Sequence, residues 1–239
     1  MNLLKEINFD KIFLKNIELK FYFNSKNFRA ILTICNYKYE YLLKNIDQYL
    51  TKEEKDKFSL LSNSFKYNYL LGRFTAKNAI TRLLNNNNIL DFTIDNSILG
   101  NPIVKGKDSN NMSISLTHSD NIAASVAFSD YFPMAIDMEK IDIDRANSIK
   151  TQLTKFELIE IANSSKNLMI LWTAKEALSK ILKTGLMVDL KLFEITNIII
   201  KDNHYICFFK SFPQYECHSY IVNNYIFSVI FTKSYQVAN

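Results

Sequence analysis

The sequence predicts an α+β protein, and three stretches carry that prediction. Between Phe65 and Leu84 apolar residues recur at helical spacing. From 112 to 138 short apolar runs alternate with turn residues. After two more helical stretches the chain closes in a series of strands from 193 to 231. Helices and antiparallel strands are therefore mixed in both halves of the 239 residues.

Taken in order, residues 1–40 alternate short apolar runs with Lys and Asn, and residues 28–35 read as a strand. Thr51 then stands as an N-cap with Glu54 three residues on, the spacing of a capping box. In the next helix Leu70, Leu71, Phe74, Ile80, Leu83 and Leu84 share one side, while Arg73 and Lys77, four apart, share another. The asparagines 85–88 stop it. Gly100-Asn101-Pro102 marks a turn and residues 104–111 read as a polar, flexible segment. A lobe boundary is placed there, giving 1–106 and 107–239. Strands follow at 112–116, 122–128 and 134–138, with Thr117-His118-Ser119-Asp120-Asn121 between the first two. Helices are expected over 155–163 and 167–183, the second ending near Gly185. The last strands fall at 193–200, 205–210, 219–222 and 225–231, with Asn223-Asn224 as a hairpin turn. The two halves show no residue-level repeat.

Composition narrows the chemistry. There are only 4 Gly and 3 Pro, which excludes collagen-like, Pro-rich and Gly/Ser-linker readings. No glycine-rich phosphate loop can be built from Gly72, Gly100, Gly106 and Gly185. A nucleotide bound here must be held by side chains and a metal. Cys35, Cys207 and Cys217 lack metal-ligand spacing and are odd in number, so they read as buried free thiols. The charged N-terminus is no signal peptide and no apolar run spans a membrane, so a soluble cytoplasmic protein is expected. The formal charge of +5 suits an acidic partner.

Three constellations could carry chemistry. Asp137 and Glu139, two apart on a strand that leaves an apolar run, face one side. Two such carboxylates suit a hard divalent ion, Mg²⁺ or Mn²⁺, and otherwise form a solvated strand end. Glu176 and Lys180 are i and i+4 on a helix, a surface ion pair by default, but the sole tryptophan, Trp172, lies on the same face. His118 sits between two strands. His204 and His218 receive no role.

In chain order these motifs are Leu71-Gly-Arg-Phe-Thr-Ala-Lys77, Ser115-Leu-Thr-His-Ser119, Ala135-Ile-Asp-Met-Glu139, and Trp172-Thr-Ala-Lys-Glu-Ala-Leu-Ser-Lys180 with Gly185-Leu186. The set resembles the Sfp-type 4′-phosphopantetheinyl transferases over about residues 50–190. That resemblance implies two similar, pseudo-symmetric α+β lobes with the active site between them, and a role for each motif residue. Asp137, Glu139 and Glu176 would bind Mg²⁺ (or Mn²⁺). Lys180, His118, Thr117, Arg73 and Lys77 would bind coenzyme A, and Glu176 and Lys180 would be catalytic. The activity implied is transfer of the phosphopantetheine arm of coenzyme A to a serine of an apo acyl, peptidyl or aryl carrier protein, releasing 3′,5′-ADP. The enzyme would be a monomer needing neither nucleic acid nor membrane. Where many members have glycine before the Gly-Leu pair, Lys183-Thr184 stand here. Two rivals remain: a metal-dependent nuclease built on Asp137-x-Glu139-Lys140, and a non-catalytic carrier-binding homologue.

Overall fold

The computed structural model describes residues 12–23, 25–162 and 164–233, with only the backbone at 143, 146, 147 and 186. The N-terminal residues 1–11, read above as charged and leaderless, lie outside these. The described residues form two compact units, one ending at Pro133 and the other running from Met134 to Lys233.

The first unit opens with strands β1 (Leu14–Phe23) and β2 (Lys26–Cys35). Short helices α1 (Tyr39–Lys44) and α2 (Ile46–Tyr49) follow, neither foreseen in the sequence. Helix α3 (Lys52–Leu60) starts at the expected Thr51–Glu54 capping box, and α4 is Asn63–Leu84. Strands β3 (Phe92–Asn96) and β4 (Pro102–Gly106) form a hairpin across part of the segment read as loop. Its last residue, Gly106, has φ +154°, and a Cβ there would lie 2.3 Å from the Asp91 carbonyl oxygen. Strands β5 (Met112–Ser119) and β6 (Ile122–Ser129) complete an antiparallel sheet of order β1-β2-β6-β5. Because β6 pairs with β2, the division between units falls at Pro133–Met134 and not at residue 106.

Helix α4 packs its apolar face on this sheet: Ala76, Ala79 and Ile80 meet Ile31, Ile114 and Ala127. Leu70 and Leu71 meet Cys35, Leu42 and Tyr49. This burial, more than intrinsic propensity, holds the helix in place.

The second unit is built on the same plan. Strand β7 (Met134–Lys140) leads to helix α5 (Ile143–Ile149), a π-helical stretch at Glu157–Ile161, and helix α6 (Ser165–Ile181). Strands β8 (Ile195–Lys201), β9 (His204–Phe209), β10 (Tyr215–Val222) and β11 (Tyr225–Thr232) follow. The antiparallel sheet runs β7-β11-β10-β9-β8, and the β10–β11 turn is Asn223-Asn224 as expected. Leu171, Ala174, Ala177 and Leu178 of α6 pack on Ala135, Ile226 and Ile230. The 155–163 helix is mostly π-helical, with Ala162 N bonded to Glu157 O five residues back.

Both units contain the same buried device. In the first, Lys77 of α4 donates to Glu54 and to Tyr49 O, and Glu54 Oε1 accepts from Ile94 N. In the second, Lys175 of α6 donates to Glu157 (2.7 Å) and to Leu190 O, and Glu157 Oε1 accepts from Ile195 N. Each glutamate also caps its own turn, from Thr51 and from Thr154. A residue-level repeat therefore exists: Thr-Lys-x-Glu followed by Thr-Ala-Lys, at 51–54 with 75–77 and at 154–157 with 173–175. Two short motifs separated by different intervals hid it from the sequence reading. Among the described residues no helix is long and apolar enough to cross a membrane.

Candidate functional site

The site is built where the end of β7 meets α6. Ala135 of β7 lies in the core beneath α6, so Asp137 and Glu139, two and four residues on, face the helix too. Thr173 Oγ1 and Ser228 Oγ, 2.8 Å apart, tie α6 to β11 beside this face. Trp172, Glu176 and Lys180 occupy the helix stripe above it.

Asp137 is buried and Glu139 half-buried. Lys180 Nζ donates to Asp137 Oδ1 at 2.8 Å and to Ile136 O at 3.0 Å. Lys180, expected to pair with Glu176 at i, i+4, reaches across to the strand, and its charge also acts on Glu176. Arg145 of α5 donates to Glu139 Oε2 at 2.6 Å. Sequence reading missed Arg145 because nothing in its local spacing connects it to a strand six residues back.

The electrostatics show that the three carboxylates share one field. Burial pushes Glu176 up to about 7, and Asp137 and Glu139 push it further in the same direction against the pull of Lys180 and Arg145. Glu139 is also raised, by burial first and by Asp137 second. The Trp172 indole N–H works on the lowering side for Glu139, although it is buried and makes no full hydrogen bond. As they stand, no three histidine, cysteine or carboxylate side chains among the described residues are gathered closely enough to hold a metal ion. The donor set nevertheless fits a hard divalent cation: three neighbouring, partly desolvated carboxylates whose mutual repulsion a cation would relieve.

The expected coenzyme A residues of the first unit differ among themselves. His118 is exposed near the end of β5, two residues before a tight Asp120-Asn121 turn, and not in a longer loop. Thr117 is buried. Arg73 is almost buried, its guanidinium over the Tyr69 ring and its Nε 3.9 Å from Glu54. Lys77 has no exposed surface and its ammonium is held by Glu54 and Tyr49 O. The expectation that Lys77 binds coenzyme A is therefore corrected: its place in the helix is that of Lys175, an internal strut.

The turn after α6 is a Schellman motif. Lys183 N bonds to Lys180 O and Thr184 N to Ser179 O, and Lys183 itself takes φ +57°. Lysine thus fills the left-handed position that glycine usually takes.

Residues 133–235 match the family model of the 4′-phosphopantetheinyl transferase superfamily. The matched segment coincides with the second unit. All four acid and lysine residues of the site, Asp137, Glu139, Glu176 and Lys180, lie inside this matched segment. A holo-[acyl-carrier-protein] synthase from Exiguobacterium sibiricum is 33% identical over 85 residues, covering 34% of this chain. The match spans 66% of that relative, just under two thirds of its length. A holo-(acyl-carrier-protein) synthase from Bacillus anthracis, solved with CoA (3′,5′-ADP), shares 22% identity at a TM-score of 0.37, over 48% of this chain and 91% of its own. One from Helicobacter pylori, solved with coenzyme A, shares 19% identity at a TM-score of 0.31, over 38% and 86% of the two chains.

Proposed function

We propose that this chain is a phosphopantetheinyl transferase of the Sfp type. It would move the 4′-phosphopantetheine arm of coenzyme A to a serine of an apo carrier protein and release 3′,5′-ADP. The observation that carries the reading is the convergence of Asp137, Glu139, Glu176 and Lys180 at the β7–α6 junction, inside the segment matching the superfamily.

Asp137, Glu139 and Glu176 would hold the divalent ion. Bound there, Mg²⁺ or Mn²⁺ would supply charge neutralisation of the pyrophosphate. The chain's own groups do the rest. Lys180, directed at Asp137, would neutralise charge growing on the leaving phosphate. Glu176, with a carboxyl poised near neutrality, accepts the serine proton directly or through water. In phosphoryl transfer positioning and electrostatics supply most of the acceleration, so the rigid seating of α6 on the sheet is itself catalytic equipment. In the first unit, His118, Arg73 and Thr117 would bind coenzyme A, and of these His118 is exposed. A net charge of +5 suits an acidic carrier protein.

Glu176→Gln keeps the size of the side chain and removes its charge. Transfer from coenzyme A at saturating Mg²⁺ should fall by about a hundredfold or more. Unimpaired turnover would remove Glu176 from the chemistry.

A further inference from the structure

We propose that Arg145 is a placeholder cation for the metal site: it holds Glu139 in the metal-free protein, must release it when the ion binds, and so weakens the site's affinity for that ion. The inference rests on reading Asp137, Glu139 and Glu176 as metal ligands, and names a residue outside that set.

Four observations support it. The contact is a short charge-assisted hydrogen bond, Arg145 Nη1 to Glu139 Oε2 at 2.6 Å. The Arg145 side chain is 43% exposed and that of Glu139 15%, so the guanidinium lies between the carboxylate and solvent. The arginine is held there from two directions. Its backbone N–H, with that of Asp144, is fixed by the Asp142 side chain capping α5, and its guanidinium carbon lies 5.9 Å from the centre of the Trp172 ring. Lastly, Lys180 does to Asp137 what Arg145 does to Glu139, so each of the two strand carboxylates carries a protein cation.

A carboxylate cannot give the same oxygen to a guanidinium hydrogen bond and to a divalent ion without weakening one of them. Binding therefore exchanges one cation for another. The displaced guanidinium becomes available to an anion only after the metal has arrived. The arginine thereby orders the assembly of the site.

The test is metal binding by the full chain, without substrate. Mg²⁺ and Mn²⁺ are titrated calorimetrically and by emission of Trp172, the only tryptophan in the sequence. Wild type should bind with a change in Trp172 emission as the guanidinium leaves the ring. Arg145→Ala and Arg145→Gln should each bind about three- to tenfold more tightly, with the emission change lost. General damage to the site would weaken binding, so the direction separates the two explanations. Unchanged or weaker binding by both variants overturns the role of Arg145 while leaving the metal site standing. Absence of binding to the wild type overturns the metal reading and this inference together.

Discussion

Lys175 Nζ lies 2.7 Å from Glu157 Oε2, and both side chains are fully buried. The lysine stands directly before Glu176, yet it points away from the site and into the core. Burial lowers its pKa, partly offset by Glu157. Lys77 and Glu54 repeat the arrangement in the other unit, with the same direction of shift.

Breaking either pair should leave an uncompensated buried charge. Lys175→Met and Glu157→Leu alone should each cost about 3–5 kcal/mol, while the double variant should recover much of that loss. Urea denaturation at pH 7 measures this. Additive single effects would show that the residues do not act as a pair.

Much of this was legible in the sequence. The α+β class, the long helix ending at Leu84 and the Asn223-Asn224 hairpin follow from local periodicity and spacing, whereas the grouping of Asp137, Glu139, Glu176 and Lys180 is what the family resemblance implies. What sequence does not reveal is where a charged side chain points. Arg73 and Lys77, read as a basic surface of a helix, turn inward because Glu54 waits there, forty residues before the Ile94 amide it also binds. Arg145 escaped notice for the same reason, since its partner is set by the packing of α5. The lobe boundary was misplaced because a polar stretch imitated a linker while β5 and β6 returned to the first sheet.

Lysine in the left-handed position after α6 should be a local strain. Lys183→Gly removes the clash of Cβ and should stabilise the protein by about 1 kcal/mol. Thermal unfolding of the pair of proteins checks it; destabilisation would show that the Lys183 side chain contributes more than its backbone costs.

Glu176 should make the metal-free protein less stable with rising pH. Its carboxyl titrates near 7 in the folded state, above its ordinary value, so the folded chain holds the proton more tightly. That contribution is complete below about pH 4.5 and is lost as pH rises through 7, worth at most about 3 kcal/mol. Glu176→Gln should flatten this part of the pH–stability curve in the presence of a chelator. An unchanged curve would place the ionised group in a more solvated setting.

His204 acts with the opposite sign. Its ring stacks on Tyr220, and its Nε2 lies 3.1 Å from His218 Nδ1, whose Nε2 is 3.0 Å from Glu216. One proton serves the bond between the rings, and burial together with His218 depresses His204 to about 4. Its stabilising contribution is present above about pH 6.5 and is lost as pH falls through 4. His204→Phe should reduce acid sensitivity between those limits, read by circular dichroism; a variant equally acid-sensitive would exclude the pair as the cause.

The central claim is tested most directly by incubating the protein with coenzyme A, Mg²⁺ and an apo carrier protein, then weighing the carrier by mass spectrometry. The carrier should gain one phosphopantetheine on its serine, 3′,5′-ADP should appear in equal amount, and both should vanish with a chelator and form about a hundredfold or more slower with Glu176→Gln. A panel of fatty-acid, polyketide and nonribosomal-peptide carriers left unmodified under these conditions, or cleavage of added DNA in their place, would contradict the account.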